Sequence, residues 1–250
     1  MPDLMSTAGP VLEEKAVQEF KGSQRGEVLD PDHPEYEAAQ TRPYLPRHIH
    51  EHVILAASVC FSGPLDEGEK VLQPLRALGS PVVDLIRPMP YTALQTQSDA
   101  FVQPGRPSYE KSVYLKGLSD DAIEVLVEQA AAMTSPLSHL HFVLMGGAIG
   151  RIADHETAVS HRQAAFDCYI LPIWAKGQAA DRHIEWARET WSAVQPFSTG
   201  GGYLNRHQSE GEDEVRAVYG AAKYERLVAL KNKYDPTNFF RLNHNIKPTV

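Results

Sequence analysis

The stretch that most constrains the fold is SYEKSVYLKGLSDDAIEVLVEQAA, residues 108 to 131, in which a strand pattern runs directly into a capped amphipathic helix. SYEKSVYLKGLS reads as a strand leading to Ser119, which predicts an N-cap, with Asp120 and Asp121 favourable in the first turn. Ile123, Leu126, Val127, Ala130 and Ala131 then follow the i, i+3, i+4, i+7, i+8 spacing of an apolar stripe. A strand and helix this close in sequence call for a layered fold in which the helix covers the sheet.

The rest of the chain fits the same plan. HVILAASVCF (52–61) is a near-continuous apolar run that predicts a strand buried on both faces. In LDEGEKVLQPLRALG, Asp66 with Glu69 predicts a capped helix whose stripe is Val71, Leu72 and Leu75, bent or ended by Pro74. LSHLHFVLMGGAIGRI predicts a strand, a break at Gly146 and Gly147, and a second strand in a hairpin or bulge. AAFDCYILPIW predicts another strand. AADRHIEWARETWSAVQPF places His183, Trp186, Ala187, Thr190, Trp191 and Val194 on one helical face, and EDEVRAVYGAAKYERLVALKNKYD predicts a helix broken near Gly220. The expected class is α+β, with a mostly antiparallel sheet and helices on one face.

Composition narrows the function. The chain has 250 residues, 42% hydrophobic and 22% charged, enough for a sizeable core. No apolar run reaches the roughly 18 residues of a membrane helix, which sets a cytoplasmic location as the expectation and excludes a membrane partner. A net charge of -8 without clustered Lys and Arg argues against nucleic acid. Cys60 and Cys168 lie far apart in apolar company and are expected as buried free thiols.

Few motifs carry chemistry. His48, His50 and His52 alternate as a metal trio would, or as the solvated start of a strand. His155, Glu156 and His161 do not have the spacing of a zinc-protease helix. No nucleophile elbow, P-loop or dinucleotide fingerprint occurs. TGGGYLN (199–205) combines a flexible glycine run with Tyr203, a phenol able to act as acid or base, or simply a glycine turn before a tyrosine.

The closing stretch KNKYDPTNFFRLNHNIKPTV carries the strongest signal. It resembles the C-terminal signature of the berberine-bridge-enzyme-like FAD-linked oxidases at Lys231, Tyr234, Asp235, Pro236, Asn238, Phe240, Asn243, Asn245, Ile246 and Pro248. LDEGEKVLQPLRALGSPVVDLIRPMPYTALQ, YEKSVYLKGLSDDAIEVL, MGGAIGRIADHETAVSHR and GGGYLN follow in the order of that family's substrate domain, so the resemblance spans about residues 52 to 248.

That resemblance implies an FAD-dependent oxidoreductase passing a hydride from an alcohol-like small organic substrate to flavin, with O2 as acceptor. It implies Tyr203 as the base and Asn205, Asn238, Asn243 and Asn245 as cofactor-facing amides, with Phe240 and Ile246 packed beneath. Strand position adds His139, His141, Asp167 and Tyr169 as substrate contacts. The expected division is 1–46 as a remnant of the flavin-binding domain and connector, 47–199 as the substrate-binding domain, and 200–250 as a flavin-facing segment. The family's glycine-rich pyrophosphate loop is not found, so the chain looks like a member lacking its flavin-domain core. A homodimer or a separate flavin-binding chain is then expected to cover the exposed face. The alternative is a flavin-free substrate-domain remnant or subunit that binds a small molecule or a partner chain.

Overall fold

The computed structural model describes residues 46, 52–77, 79–97, 99, 104–206, 211–242 and 244–250. At its centre lies a three-stranded antiparallel sheet in the order β1-β3-β2, from β1 (Lys111–Leu115), β2 (His139–Leu144) and β3 (Phe166–Leu171). Register pairs Val113 with Cys168 and Cys168 with Phe142, so these three side chains share one face. Helices α3 (Asp120–Ala131) and α5 (Asp181–Val194) cover that face. The α+β expectation, an antiparallel sheet with helices on one side, is what the chain adopts.

Two apolar clusters make the interface. Val113, Leu115, Cys168, Leu126 and Val194 form one, and Tyr109, Ile170, Trp174, Trp186 and Ala187 the other. Each fully buried aliphatic side chain contributes about 1.5–3 kcal/mol. The face predicted for α5 is observed, with His183, Trp186, Ala187, Thr190 and Val194 all buried. His183 is a core histidine: its ring stacks on Trp174 at 4.9 Å and its Nδ1 shares a 2.7 Å hydrogen bond with Thr134 Oγ1.

Ser119 caps α3, accepting from the Ala122 amide at 3.3 Å. Its replacement by Ala is expected to lower stability by about 1 kcal/mol, read from a denaturant midpoint; an unchanged midpoint would show the cap to be idle. The stripe of α3 is rotated from its predicted position. Ala122 and Leu126 are buried with Val125 beside them, while Ile123 and Val127 are exposed. Several apolar residues on two sides of one helix leave the spacing ambiguous, and the β1 surface selects the face.

Other expectations are corrected. The run 53–62 forms no strand; it has no regular structure and is exposed apart from a half-buried Ile54, with Leu55 97% accessible. An apolar run becomes a buried strand only where a ladder partner lies beside it, and none does among the described residues. Cys60, within that run, is exposed for the same reason, whereas Cys168 is buried as expected. Helix α1 (Leu65–Arg76) begins after Pro64 with no side-chain cap, placing Asp66 inside its first turn instead of at the cap. Val71, expected on its apolar stripe, is exposed. It ends two residues beyond Pro74. After the short α2 (Tyr91–Thr96) and β1 to β2, Gly146 and Gly147 lead not into a second strand but into α4 (Ala148–Arg151). Gly147 at φ 51 turns the chain into a helical course, and β2 pairs instead with β3.

Helices α6 (Glu212–Tyr219) and α7 (Ala221–Tyr234) are separated at Gly220, whose φ of 74 supplies the predicted break. His48 and His50 lie outside the described residues, His52 is exposed, and no metal-competent cluster exists among the described residues. No described helix is long and apolar enough to cross a membrane.

Burial holds the imidazoles of His141, His161 and His183 below their ordinary value of 6.5. In the window between their folded values and 6.5 the unfolded chain binds more protons than the folded one, so stability falls as pH drops through it. A melting temperature that falls from pH 7 to pH 5, with a shallower fall in His183→Gln, is the expected result. A flat profile would contradict it.

Candidate functional site

Because side chains alternate along a strand, the face of the sheet away from α3 and α5 carries a second set of residues. Ser112 pairs with Tyr169 and Tyr169 with His141; Tyr114 pairs with Asp167 and Asp167 with Val143; His139 lies opposite Leu171. His139, His141, Asp167 and Tyr169, the four strand residues expected to contact substrate, therefore share one face. Ser112, Tyr114 and Arg206 join them and were not anticipated. The signal was present in EKSVYL, where Glu110, Ser112 and Tyr114 alternate with Lys111, Val113 and Leu115.

The chain after α5 roofs this face. Residues 197–201 run along the outer edge of β1, with Lys116 N donating to Phe197 O (3.1 Å), Thr199 N to Tyr114 O (2.8 Å) and Tyr114 N to Gly201 O (2.7 Å). A short 3-10 turn, Leu204–Arg206, follows. Tyr203 N donates to Ser112 Oγ at 2.8 Å, and Ser112 Oγ donates to Asp167 Oδ1 at 2.6 Å. Asn205 Nδ2 donates to the Tyr203 hydroxyl at 2.8 Å. The Arg206 guanidinium lies 3.7 Å from the Tyr169 ring centre and 5.9 Å from that of Tyr203, with its Nε 3.9 Å from Asp167 Oδ2. The Tyr203 ring remains 38% accessible.

Gly201 is needed for this roof to close. A Cβ there would meet His161 Nε2 at 2.6 Å, and His161 is itself held at φ 58 with its ring against Tyr114. Gly201→Ala is expected to cost about 1–3 kcal/mol by overpacking, measured by thermal unfolding. A neutral effect would mean that the imidazole swings aside freely.

Electrostatics sort the phenols. Burial, reinforced by the negative charge of Asp167, pushes the Tyr114 hydroxyl up to about 12. Burial likewise raises Tyr169. Both are protonated donors near neutral pH. Burial also raises Glu110, against the opposing pull of Arg206, and lowers His141, where Arg206 adds to the effect. Tyr203 is the phenol of this face that is accessible and paired with an amide donor.

The closing segment is held by a knot at Asp235. Its carboxylate accepts from Lys231 Nζ and from the amides of Phe239 (2.7 Å) and Phe240 (3.1 Å), while Lys231 Nζ also donates to Phe240 O (2.6 Å). Asn238 occupies a left-handed turn position at φ 53, a conformation asparagine tolerates better than most residues. Much of the signature is thus the end of α7 and its turn. Farther on, Asn232 Oδ1 accepts from Thr249 N at 2.8 Å, fastening the tail back along α7. Ile246 packs on Leu204, Val215, Val218 and Tyr224, but Phe240 is exposed, contrary to expectation, with its ring edge-on to Phe239 at 5.1 Å. Asn243 lies outside the described residues. Asn238 Oδ1, Asn245 Oδ1 and His244 Nδ1 are buried with no hydrogen-bond partner among the described residues. A concavity of about 310 Å³, lined by Asp84, Leu85, Ile86, Arg87, Met89 and Gln97, includes none of the sheet-face residues.

A model of the berberine and berberine-like family matches residues 202–247, from the Tyr203 turn through the tail. Over that segment the chain resembles the berberine-bridge-enzyme-like family. It is 26% identical over 190 residues to an FAD-linked oxidoreductase of Dictyostelium discoideum, covering 75% of this chain and 41% of that protein. It is 30% identical over 154 residues to a monolignol oxidoreductase of Arabidopsis thaliana, covering 53% and 28%. Among solved structures, 6-hydroxy-D-nicotine oxidase from Arthrobacter nicotinovorans matches with a TM-score of 0.61 at 25% identity, over 74% of this chain and 42% of that one. A chitooligosaccharide oxidase shares the fold, with a TM-score of 0.62 at 20% identity over 76% and 45%. The chain thus spans about two fifths of the length of the Dictyostelium relative. The berberine-like segment is a structural unit here: Leu204, α6, α7 and Ile246 share one apolar cluster, which ties the Tyr203 turn to the tail.

Proposed function

We propose that the polar sheet face is the substrate side of an FAD-linked oxidoreductase acting on a small organic molecule with an oxidisable hydroxyl, with O2 as the electron acceptor. The observation that carries this reading is the meeting on one face of Tyr203, Asn205 and Arg206, which lie inside the family-matched segment, with Asp167, Tyr169 and His141 from the sheet. The Tyr203 oxygen takes the proton from the substrate hydroxyl and ends as the neutral phenol, and the Asn205 amide orients that oxygen by its hydrogen bond. Tyr169 and His141, their rings tilted at 30° with centroids 4.6 Å apart, form an aromatic floor for the substrate, and Asp167 balances the Arg206 charge beneath it.

FAD, when bound, supplies the acceptor for the substrate's hydride. Residues of this chain suit a flavin ring. Asn238, His244 and Asn245 each keep a buried polar atom with no partner among the described residues, which a planar ligand with polar edges would satisfy. The exposed Phe239, Phe240 and Leu242 beside them support a covering partner, either a second copy or a separate flavin-binding chain.

The test is the visible absorbance of the purified protein after incubation with FAD and desalting. A retained flavin band is expected. A protein that stays colourless alone and in the presence of a flavin-binding chain would overturn the oxidase reading and leave a small-molecule-binding subunit.

A further inference from the structure

We propose that Ser112 is a positioning residue: its buried hydroxyl, set between the Asp167 carboxylate and the Tyr203 amide, fixes how the Tyr203 phenol is presented to the sheet face. The inference rests on the reading of Tyr203 as the proton acceptor.

The hydrogen-bond polarity is determined by chemistry. The Asp167 carboxylate accepts at 2.6 Å, and the Tyr203 N–H can only donate, at 2.8 Å. The one Ser112 proton therefore goes to Asp167, leaving its lone pairs for the amide. Ser112 is fully buried at the middle of β1, and its own carbonyl accepts from Trp191 Nε1 at 3.3 Å, which anchors it to the helical layer. The far end of the turn meets the same carboxylate through Arg206, whose Nε is 3.9 Å from Asp167 Oδ2. One acid on β3 thus governs both ends of Tyr203–Arg206, and Ser112 is the link at the end where the phenol begins. A methyl group at residue 112 removes both hydrogen bonds of this link.

Replacing tyrosine throughout by 3-fluorotyrosine gives one fluorine line for each of the 10 tyrosines, and Tyr203→Phe and Tyr234→Phe assign two of them. In Ser112→Ala the Tyr203 line is expected to move by more than its width and to titrate at a different pH, while the remote Tyr234 line stays in place. A merely structural role would leave both lines alone in a folded protein, and that outcome overturns the proposal. Should Ser112→Ala fail to fold, Asp167→Asn keeps the side-chain volume and is read the same way: a moved Tyr203 line supports the link, and an unmoved one overturns it. Undiminished flavin reduction by Tyr203→Phe would remove the proton-acceptor reading and leave the fluorine result standing, so the two failures are distinguishable.

Discussion

Tyr203→Phe is expected to lower flavin reduction by an alcohol substrate about 10²- to 10⁴-fold, the range that a positioned general base contributes. The variant removes one oxygen and leaves the ring in place under Arg206, so binding of flavin and folding should be retained. The measurement is anaerobic bleaching of the flavin band by a panel of aromatic and sugar alcohols, comparing variant and parent protein with the same bound FAD. Within the panel, a substrate that bleaches both equally fast would take Tyr203 out of the chemistry. The neighbouring phenols offer no substitute near neutral pH, because burial keeps Tyr114 and Tyr169 protonated.

Trp186→Ala should produce the largest loss of stability, about 3–5 kcal/mol. Its ring is buried with Tyr109, Ile170, Trp174 and Ala187, between α5 and the sheet. Its Nε1 also donates to the Gln129 carbonyl at 2.9 Å, so truncation both opens a cavity and leaves an acceptor in α3 unpaired. Domains are stable by about 5–15 kcal/mol in total, and the variant would therefore sit close to unfolding at ambient temperature. Urea unfolding decides the matter: a midpoint near that of the parent would mean that α3 and α5 are not joined through this ring.

The sheet and its coverage were legible because their signals are local. Ser119 and the two aspartates start α3, Gly220 divides α6 from α7, and the six-residue face of α5 follows helical spacing. The candidate site was half legible. His139, His141, Asp167 and Tyr169 come together as strand alternation requires, yet Ser112 and Arg206 were missed because their importance lies in contacts between β1, β3 and the turn after residue 202. Sequence spacing cannot show which carboxylate a serine 55 residues away will meet. The same limit explains 53–62, where composition suited a strand but pairing is a property of neighbours, and the tail, where Asp235 and Asn238 proved to shape a turn.

Floor and core share the same strands residue by residue, and this restricts how the gene can change length. Adding or deleting one codon within β1 or β3 would exchange the two faces, turning Asp167 or Ser112 toward α5 and bringing Val113 or Cys168 to the polar face. Length changes are tolerable only where no ladder is read across, such as the excursion between β2 and β3. Divergence in substrate among proteins built this way should therefore proceed by point replacement on the floor and by remodelling of the connecting loops, with the strands constant in length.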